Sequence, residues 1–279
     1  MIRLITDTTC GLPLSLLAEK GIDVIPQIII FGDQSYRDDH EIDSDTFLEK
    51  LKASSILPKT AAPPPVLYHP FFREYAQKGD TILVLTPSGE VSGTYRSASI
   101  AAEEFPEADI HIVDTRTIAG GFGALVLQAK DWIDHGMVIA ELKENVLDMA
   151  RREKVYFVVD TLEYLEKGGR IGKATALLGS LLQVKPILTV EDGLVNQFEK
   201  QRTSKHAIQR MLDLVIGYSN NSHDPHITIS HISADETVLQ VRDSLRKALG
   251  IIEIPILKLP PAIIVHGGPG IVSVSCFTR

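Results

Sequence analysis

The chain has 279 residues, more than most single hydrophobic cores hold, and at about 150 residues per domain it predicts two. A composition of 44% hydrophobic and 23% charged residues, with 20 Gly and 15 Pro, excludes a disordered or fibrous polypeptide. The net charge of -8 repels phosphate backbones and anionic surfaces, which argues against nucleic acid as a partner.

Cys10 and Cys276 lie at opposite ends of the chain, neither with a companion at metal-ligand or redox spacing, so both are expected to be reduced and structural, as suits the cytoplasm. The apolar run in the opening Met1 to Thr9 is too short for a signal-peptide core and reads as a first strand. No apolar run approaches the roughly 20 residues of a membrane span, so a chain of this kind that handled lipid would do so as a soluble carrier.

Up to residue 153 short apolar runs alternate with helical patterns. Ile2 to Thr6, Thr81 to Thr86 and Asp109 to Val113 read as strands, which predicts a parallel sheet covered by helices. Each ends in small polar residues, and in such sheets the ligand crevice lies beyond the carboxyl ends of the strands. The turns Thr6 to Thr9, Thr86 to Ser88 and Asp114-Thr115 are therefore expected to face one site. Between the first two strands come a hairpin, Gln27 to Arg37, and a helix, Ser44 to Leu51. The stretch Leu57 to Pro65 ends in three consecutive prolines and reads as a rigid loop that holds Thr60.

From Val155 the pattern changes. Strands are predicted over Val155 to Asp160, Lys185 to Val190, Leu194 to Phe198, His226 to Ser230, Ile251 to Leu257 and Ile271 to Cys276. Helices are predicted over Leu162 to Glu166, Ala174 to Leu182, Lys205 to Ile216 and Thr237 to Leu249. Glu191-Asp192-Gly193 reads as a hairpin turn, which makes the second sheet partly antiparallel. The fold class that follows is two-domain α/β, with a mainly parallel domain over residues 1–153, a mixed-sheet domain over 154–279 and the ligand site between them.

Several segments carry chemistry. Ser92, in Val91-Ser92-Gly93-Thr94-Tyr95, is placed to cap a helix whose free amides favour an anion. A nucleophile elbow needs Gly two residues before the serine, where Glu90 stands, which counts against a serine nucleophile. His266-Gly267-Gly268-Pro269-Gly270 sets an imidazole in a glycine turn. Tyr164 to Gly172, with paired glycines and three basic side chains from Lys167 to Lys173, reads either as a helix end and solvated turn or as a rim of cationic donors for carboxylate or phosphate. Arg202 precedes Thr203, the expected cap of the next helix. Gly120-Gly121-Phe122-Gly123 lacks the spacing and the strand position of a dinucleotide loop.

Taken in order along the chain, these segments resemble the DegV family, whose members include the fatty-acid-binding subunits of bacterial fatty acid kinase. The matching residues are Thr6 to Thr9, Lys59-Thr60, Ser92 to Tyr95, Tyr164 to Gly172, Lys185 to Leu188, Arg202-Thr203, and His266 with Gly268 to Gly270. The resemblance implies a non-enzymatic, cytoplasmic lipid-binding subunit of phospholipid metabolism, with no cofactor and a long-chain fatty acid of the palmitate, stearate or oleate class as ligand. Its carboxylate would meet Thr60, Ser92, Gly93, Thr94, His266 and Gly267. Arg170 and Arg202 would face phosphate and a separate ATP-dependent kinase catalytic subunit, and transient membrane contact is compatible with that role. One departure stands out: the family's loop commonly reads Thr-Ser-Gln-Pro-Ser, and this chain has Thr60-Ala61-Ala62-Pro63-Pro64. The rival readings are an acyl hydrolase or transferase using Ser92 and His266, with Asp114 as a third member by position, and a binder of a smaller anion. If His266 donates to a bound carboxylate, its charged form is the one the anion favours.

Overall fold

The computed structural model describes residues 1–177, 184–220, 222 and 224–278. In chain order the first half comprises β1 (Ile2–Asp7), α1 (Leu14–Glu19), β2 (Asp23–Ile25), β3 (Ile28–Phe31), β4 (Gln34–Arg37), α2 (Ser44–Ala53), β5 (Lys59–Ala61), α3 (His69–Lys78), β6 (Thr81–Thr86), α4 (Thr94–Glu103), β7 (Ile110–Asp114), α5 (Ala119–Asp134) and α6 (Ile139–Arg151). The second comprises β8 (Glu153–Val158), α7 (Glu163–Lys167), β9 (Lys185–Glu191), β10 (Leu194–Gln201), α8 (Ser204–Ser219), β11 (Thr228–His231), α9 (Asp235–Leu249), β12 (Ile256–Lys258), α10 (Pro261–Gly267) and β13 (Val272–Phe277).

Strands β2-β1-β6-β7 form one parallel sheet. Its central strands are apolar on consecutive residues because both faces are covered, and successive side chains point to opposite faces. Leu4, Leu83 and Leu85 pack with Phe122, Val126 and Leu142 on one side, while Ile5, Ile82 and Val84 pack with Phe72, Tyr75 and Ala98 on the other. The second sheet runs β10-β9-β8-β13-β11-β12, antiparallel except for the β11–β12 pair. Asp192 and Gly193, at φ 52 and 81, make the β9–β10 turn, a backbone that Gly adopts at no steric cost. Helices α8 and α9 cover one face of this sheet through Met211, Val215, Val241 and Leu245. The other face, carrying Phe157 and Leu188, packs with α7 and α10 against residues of the first half, including Ile29, Phe47 and Ala119.

The stretch expected as a loop is partly ordered by a distant partner. Lys59–Ala61 pairs antiparallel with β3 and completes a three-stranded sheet, β4-β3-β5, and Pro65–Leu67 turns as a 3₁₀ helix with proline at its start. Strand β12 occupies only the last part of the predicted Ile251 to Leu257, where Ile229 to His231 give it partners. The helix expected over Ala174 to Leu182 starts instead as a 3₁₀ helix, Gly172–Leu177, and its remainder lies outside the described residues.

The Gly120 to Gly123 run serves close packing. A Cβ at Gly120 would lie 2.6 Å from Ser230 Oγ on the second sheet, and one at Gly123 would lie 2.6 Å from the Cys10 carbonyl oxygen. Gly123→Ala is therefore expected to cost about 1–3 kcal/mol, because backbone cannot yield as a side chain can. Gly217→Ala, on an exposed turn of α8 with nothing within 4 Å, is expected to gain up to about 1 kcal/mol. Urea midpoints measure both, and an unshifted midpoint for Gly123→Ala would contradict the packing argument.

Candidate functional site

Between β5, α7, α10 and the loops after β1 and β6 lies a cavity of about 110 Å³. Its polar lining is Thr9, Gln27, Thr60, Ser92, Arg170 and His266, and its apolar lining includes Val91, Ile118, Leu165, Ala262 and Ile263. Apolar walls with a few converging polar groups are the ordinary make-up of a small-molecule site.

Thr60 sits at the middle of β5, opposite Ile29, and His266 sits in the last turn of α10. Thr60 Oγ1 and His266 Nε2 are hydrogen-bonded at 2.8 Å, across 206 residues of chain. Helix α10 starts with proline at its first turn and ends at Gly268, whose φ of 77 favours glycine. A Cβ at Gly168 would run into the His266 ring, so this glycine makes room for the imidazole. Burial first, then the Arg170 charge, pushes His266 down to about 4 from its ordinary 6.5. The ring is neutral at neutral pH, and its Nδ1 is buried without a hydrogen-bond partner among the described residues.

Ser92 and Gly93 follow β6, and the cap of α4 is Gly93 rather than the expected Ser92. The serine hydroxyl still accepts the Thr94 N–H at 3.3 Å and lies 2.8 Å from Thr94 Oγ1. Behind it stands Gln27, 3% exposed, whose Nε2 donates to Asp7 Oδ2 at 2.6 Å and to Thr94 Oγ1 at 2.8 Å. Both amide hydrogens are then committed. Thr94 Oγ1 accepts one and shares a hydrogen bond with Ser92 Oγ in which either hydroxyl can donate.

Two carboxyl groups anchor this network. Burial raises Asp7 to about 6, against donors from Thr9, Thr94 and Gln27, and raises Asp38 to about 7, against donors from Thr8 and the Gln27 amide. Asp38 Oδ1 accepts from Thr8 Oγ1 at 2.7 Å and from Gln27 N at 2.8 Å. Gln27 therefore separates the Asp7 charge from the cavity while using it for orientation.

Thr60, Ser92, Gly93, Arg170, His266 and Gly267 all line this one cavity, and Thr94 stands directly behind Ser92. Arg202 is exposed after β10 and is not among the lining residues. Arg170 is part of the wall, oriented by donating Nε to the Val91 carbonyl at 3.1 Å and Nη1 to the Gly168 carbonyl at 2.8 Å. The three strand-end turns divide. Thr9 reaches the cavity, whereas Ser88 donates to the Gly193 carbonyl at 2.8 Å and Arg116, next to Asp114-Thr115, donates to the Asp192 carbonyl at 3.3 Å, both at the β9–β10 turn. Ala62, where the family's loop carries a polar residue, also lines the cavity and faces Gly93, at which a Cβ would lie 3.1 Å away. Sequence reasoning missed Gln27. The available signal was an amide placed between Pro26 and the apolar Ile28-Ile29-Ile30, where an unpaired polar group would be costly.

Fold and cavity together define a two-domain α/β protein with a cavity that joins apolar walls to a few converging polar groups. The family model described as uncharacterised proteins of the DegV family matches residues 1–279, and the chain belongs to that family. A DegV domain-containing protein of Streptomyces coelicolor is 32% identical over 280 residues, covering 100% of this chain and 99% of the relative. Among solved structures, a DegV family protein of Thermus thermophilus described as fatty acid binding is 32% identical with a TM-score of 0.91, covering 100% of this chain and 99% of that one. A fatty acid binding DegV family protein of Streptococcus agalactiae is 27% identical with a TM-score of 0.92 at the same coverage.

The His266 shift sets a pH window. Because the folded value lies below the ordinary one, the neutral ring supports the fold above pH 6.5 and that support is lost as pH falls through about 4. A bound carboxylate favours the imidazolium and raises the value. Affinity for an anion is then expected to fall as pH rises between the free and anion-bound midpoints, and to be flat above them. Histidine NMR titration of the ligand-free protein should give a midpoint near 4 for His266, and one at 6.5 would contradict the burial argument.

Proposed function

We propose that the chain binds a long-chain fatty acid in this cavity, of the palmitate, stearate or oleate class, and presents its carboxylate to a separate ATP-dependent kinase. Thr60, Ser92, Gly93, Thr94, His266 and Gly267 form the carboxylate end. The observation that carries the reading is one cavity that joins apolar walls to hydroxyl and imidazole groups with no full compensating charge among them besides Arg170. The fatty-acid binding stated for the Thermus and Streptococcus relatives supports the same ligand class here.

Magnitudes favour a long tail. Each buried CH₂ contributes about 0.8 kcal/mol, so ten of them give roughly 8 kcal/mol. Association itself costs about 4–15 kcal/mol, which a short acid does not overcome through neutral hydrogen bonds alone. The tail supplies affinity, and the polar groups orient the head. In the transfer step a carboxylate oxygen attacks the terminal phosphorus of the nucleotide held by the kinase. The new O–P bond forms as the bond to the diphosphate breaks, yielding an acyl phosphate for phospholipid synthesis in the cytoplasm.

The pairing of hydroxyls favours binding over nucleophilic catalysis. Ser92 pairs with Thr94, and His266 pairs with Thr60, so the imidazole is not hydrogen-bonded to the serine it would have to activate. Denaturing extraction of the purified protein followed by lipid mass spectrometry is expected to give about one fatty acid per chain. An empty extract from protein that also refuses added oleate and palmitate would overturn the reading.

A further inference from the structure

Helix α5 belongs to the first half of the chain and seats on the second sheet through its glycines. A Cβ at Gly120 would collide with Thr228 and Ser230 of β11, and one at Gly121 would overlap Glu153 Oε1 on β8. The carboxyl group of Glu153 thus fills the place that a side chain at 121 would take. Its Oε1 is buried with no hydrogen-bond partner among the described residues. We propose that Glu153 is a proton-operated latch between the two halves: neutral, it lets α5 seat on the sheet, and ionised, it loosens the start of α5 together with Ile118, a wall of the cavity that holds Thr60 and His266.

The surroundings of the carboxyl group are poor in partners for a charge. Strand residues two apart share a face, so Glu153 and Val155 of β8 lie with their register partners on β13, Phe277 and Ser275, on one face of the sheet. Phe277 packs there with Leu125 of α5 and Met149 of α6 in a small apolar cluster, and Ser275 Oγ is also buried without a partner among the described residues. On its other side Glu153 edges a polar cavity of about 530 Å³ with Asp114, Arg116, Arg151, Lys154, Glu191 and Asp192. The cations there are engaged elsewhere. Arg151 and its neighbour Arg152 pair with Asp148 at 3.6 and 2.9 Å, Arg116 pairs with Glu90 at 3.9 Å, and Lys154 Nζ stands 5.9 Å from the centre of the Tyr218 ring. The remaining titratable neighbour is the buried Cys276 thiol of β13, itself held up by burial and by the Glu153 charge.

Burial, with nothing to offset it, raises the Glu153 carboxyl to about 8 from its ordinary 4.5. Because the folded value is the higher one, the support given by the neutral form is complete below about pH 4.5 and is lost as pH rises through about 8. An ionised, partnerless carboxylate is costly to keep from water, and lifting the start of α5 hydrates it without unfolding either sheet. Ile118 lies three residues before Gly121 and lines the cavity. Between them Ala119 holds a positive φ of 57, which is unfavourable for a residue with a side chain, so the bend that joins seam to cavity wall already stores strain.

The test is hydrogen exchange over residues 118–126 of ligand-free protein, corrected for the intrinsic pH dependence of exchange, in wild type and in Glu153→Gln. Wild-type protection is expected to fall by up to about tenfold per pH unit between about pH 5.5 and 7.5 and to level off above about 8. Asp7 and Asp38 titrate in the same range, so the deciding quantity is the difference between the two proteins. Glu153→Gln, which keeps the shape and cannot ionise, is expected to lose that slope and to be the better protected protein at pH 7.5. Glu153→Leu makes the same comparison with a side chain that needs no partner, and the same result is expected. Equal slopes in wild type and variants, or a wild type without a slope, would overturn the latch. Because no ligand is present, either outcome leaves the fatty-acid reading to its own test.

Discussion

One hydrogen bond, between Thr60 Oγ1 and His266 Nε2 at 2.8 Å, joins a strand of the first half of the chain to a helix of the second. Much around it serves to hold these two atoms in place. Strand β5 exists because β3 offers it a partner, and α10 is anchored where the Leu259 carbonyl, just before it, accepts the Ser44 hydroxyl of α2 at 2.8 Å. The cavity forms between the elements that this contact ties together. Because the bond lies in its wall, whatever enters must compete for it or join it.

Apart from Arg170 in its wall, the site handles charge by orientation rather than by direct pairing. The carboxyl group of Asp7 is buried behind Gln27, where a bare charge would be costly, and it is served by Gln27 and Thr9. Its influence reaches the cavity through Thr9, which lines it, and through Gln27, which is tied by way of Thr94 to Ser92. Neutral groups fixed in this way cost little to desolvate and need no rearrangement when an anion arrives, which is the condition for binding that is both selective and reversible.

The sheets were legible in the sequence to the extent that their signals are local. Thr81 to Thr86 reads as a doubly covered strand because its apolar residues are consecutive, and Glu191-Asp192-Gly193 reads as a turn because the backbone there requires positive φ. Lys59–Ala61 carries no such signal, since three residues beside prolines become a strand only through pairing with residues about thirty positions earlier. The cavity's apolar wall was illegible for a related reason: Leu165, Ala262 and Ile263 are apolar helix residues, and nothing local distinguishes those that face a void from those that face a core. Thr60, Ser92 and His266 came from the family resemblance, because a lone hydroxyl or imidazole in a turn is most often structural.

The central claim is that the head of the ligand is recognised as a carboxylate by Thr60 and Ser92. The most direct measurement is calorimetric titration of wild-type and Thr60→Val/Ser92→Ala protein with palmitate and with its methyl ester, which keeps the tail and removes the charge. The account predicts that the wild type prefers the acid by about tenfold or more and that the variant loses most of that preference while still binding the ester. Equal affinity of the wild type for acid and ester, or a preference unchanged in the variant, would contradict it.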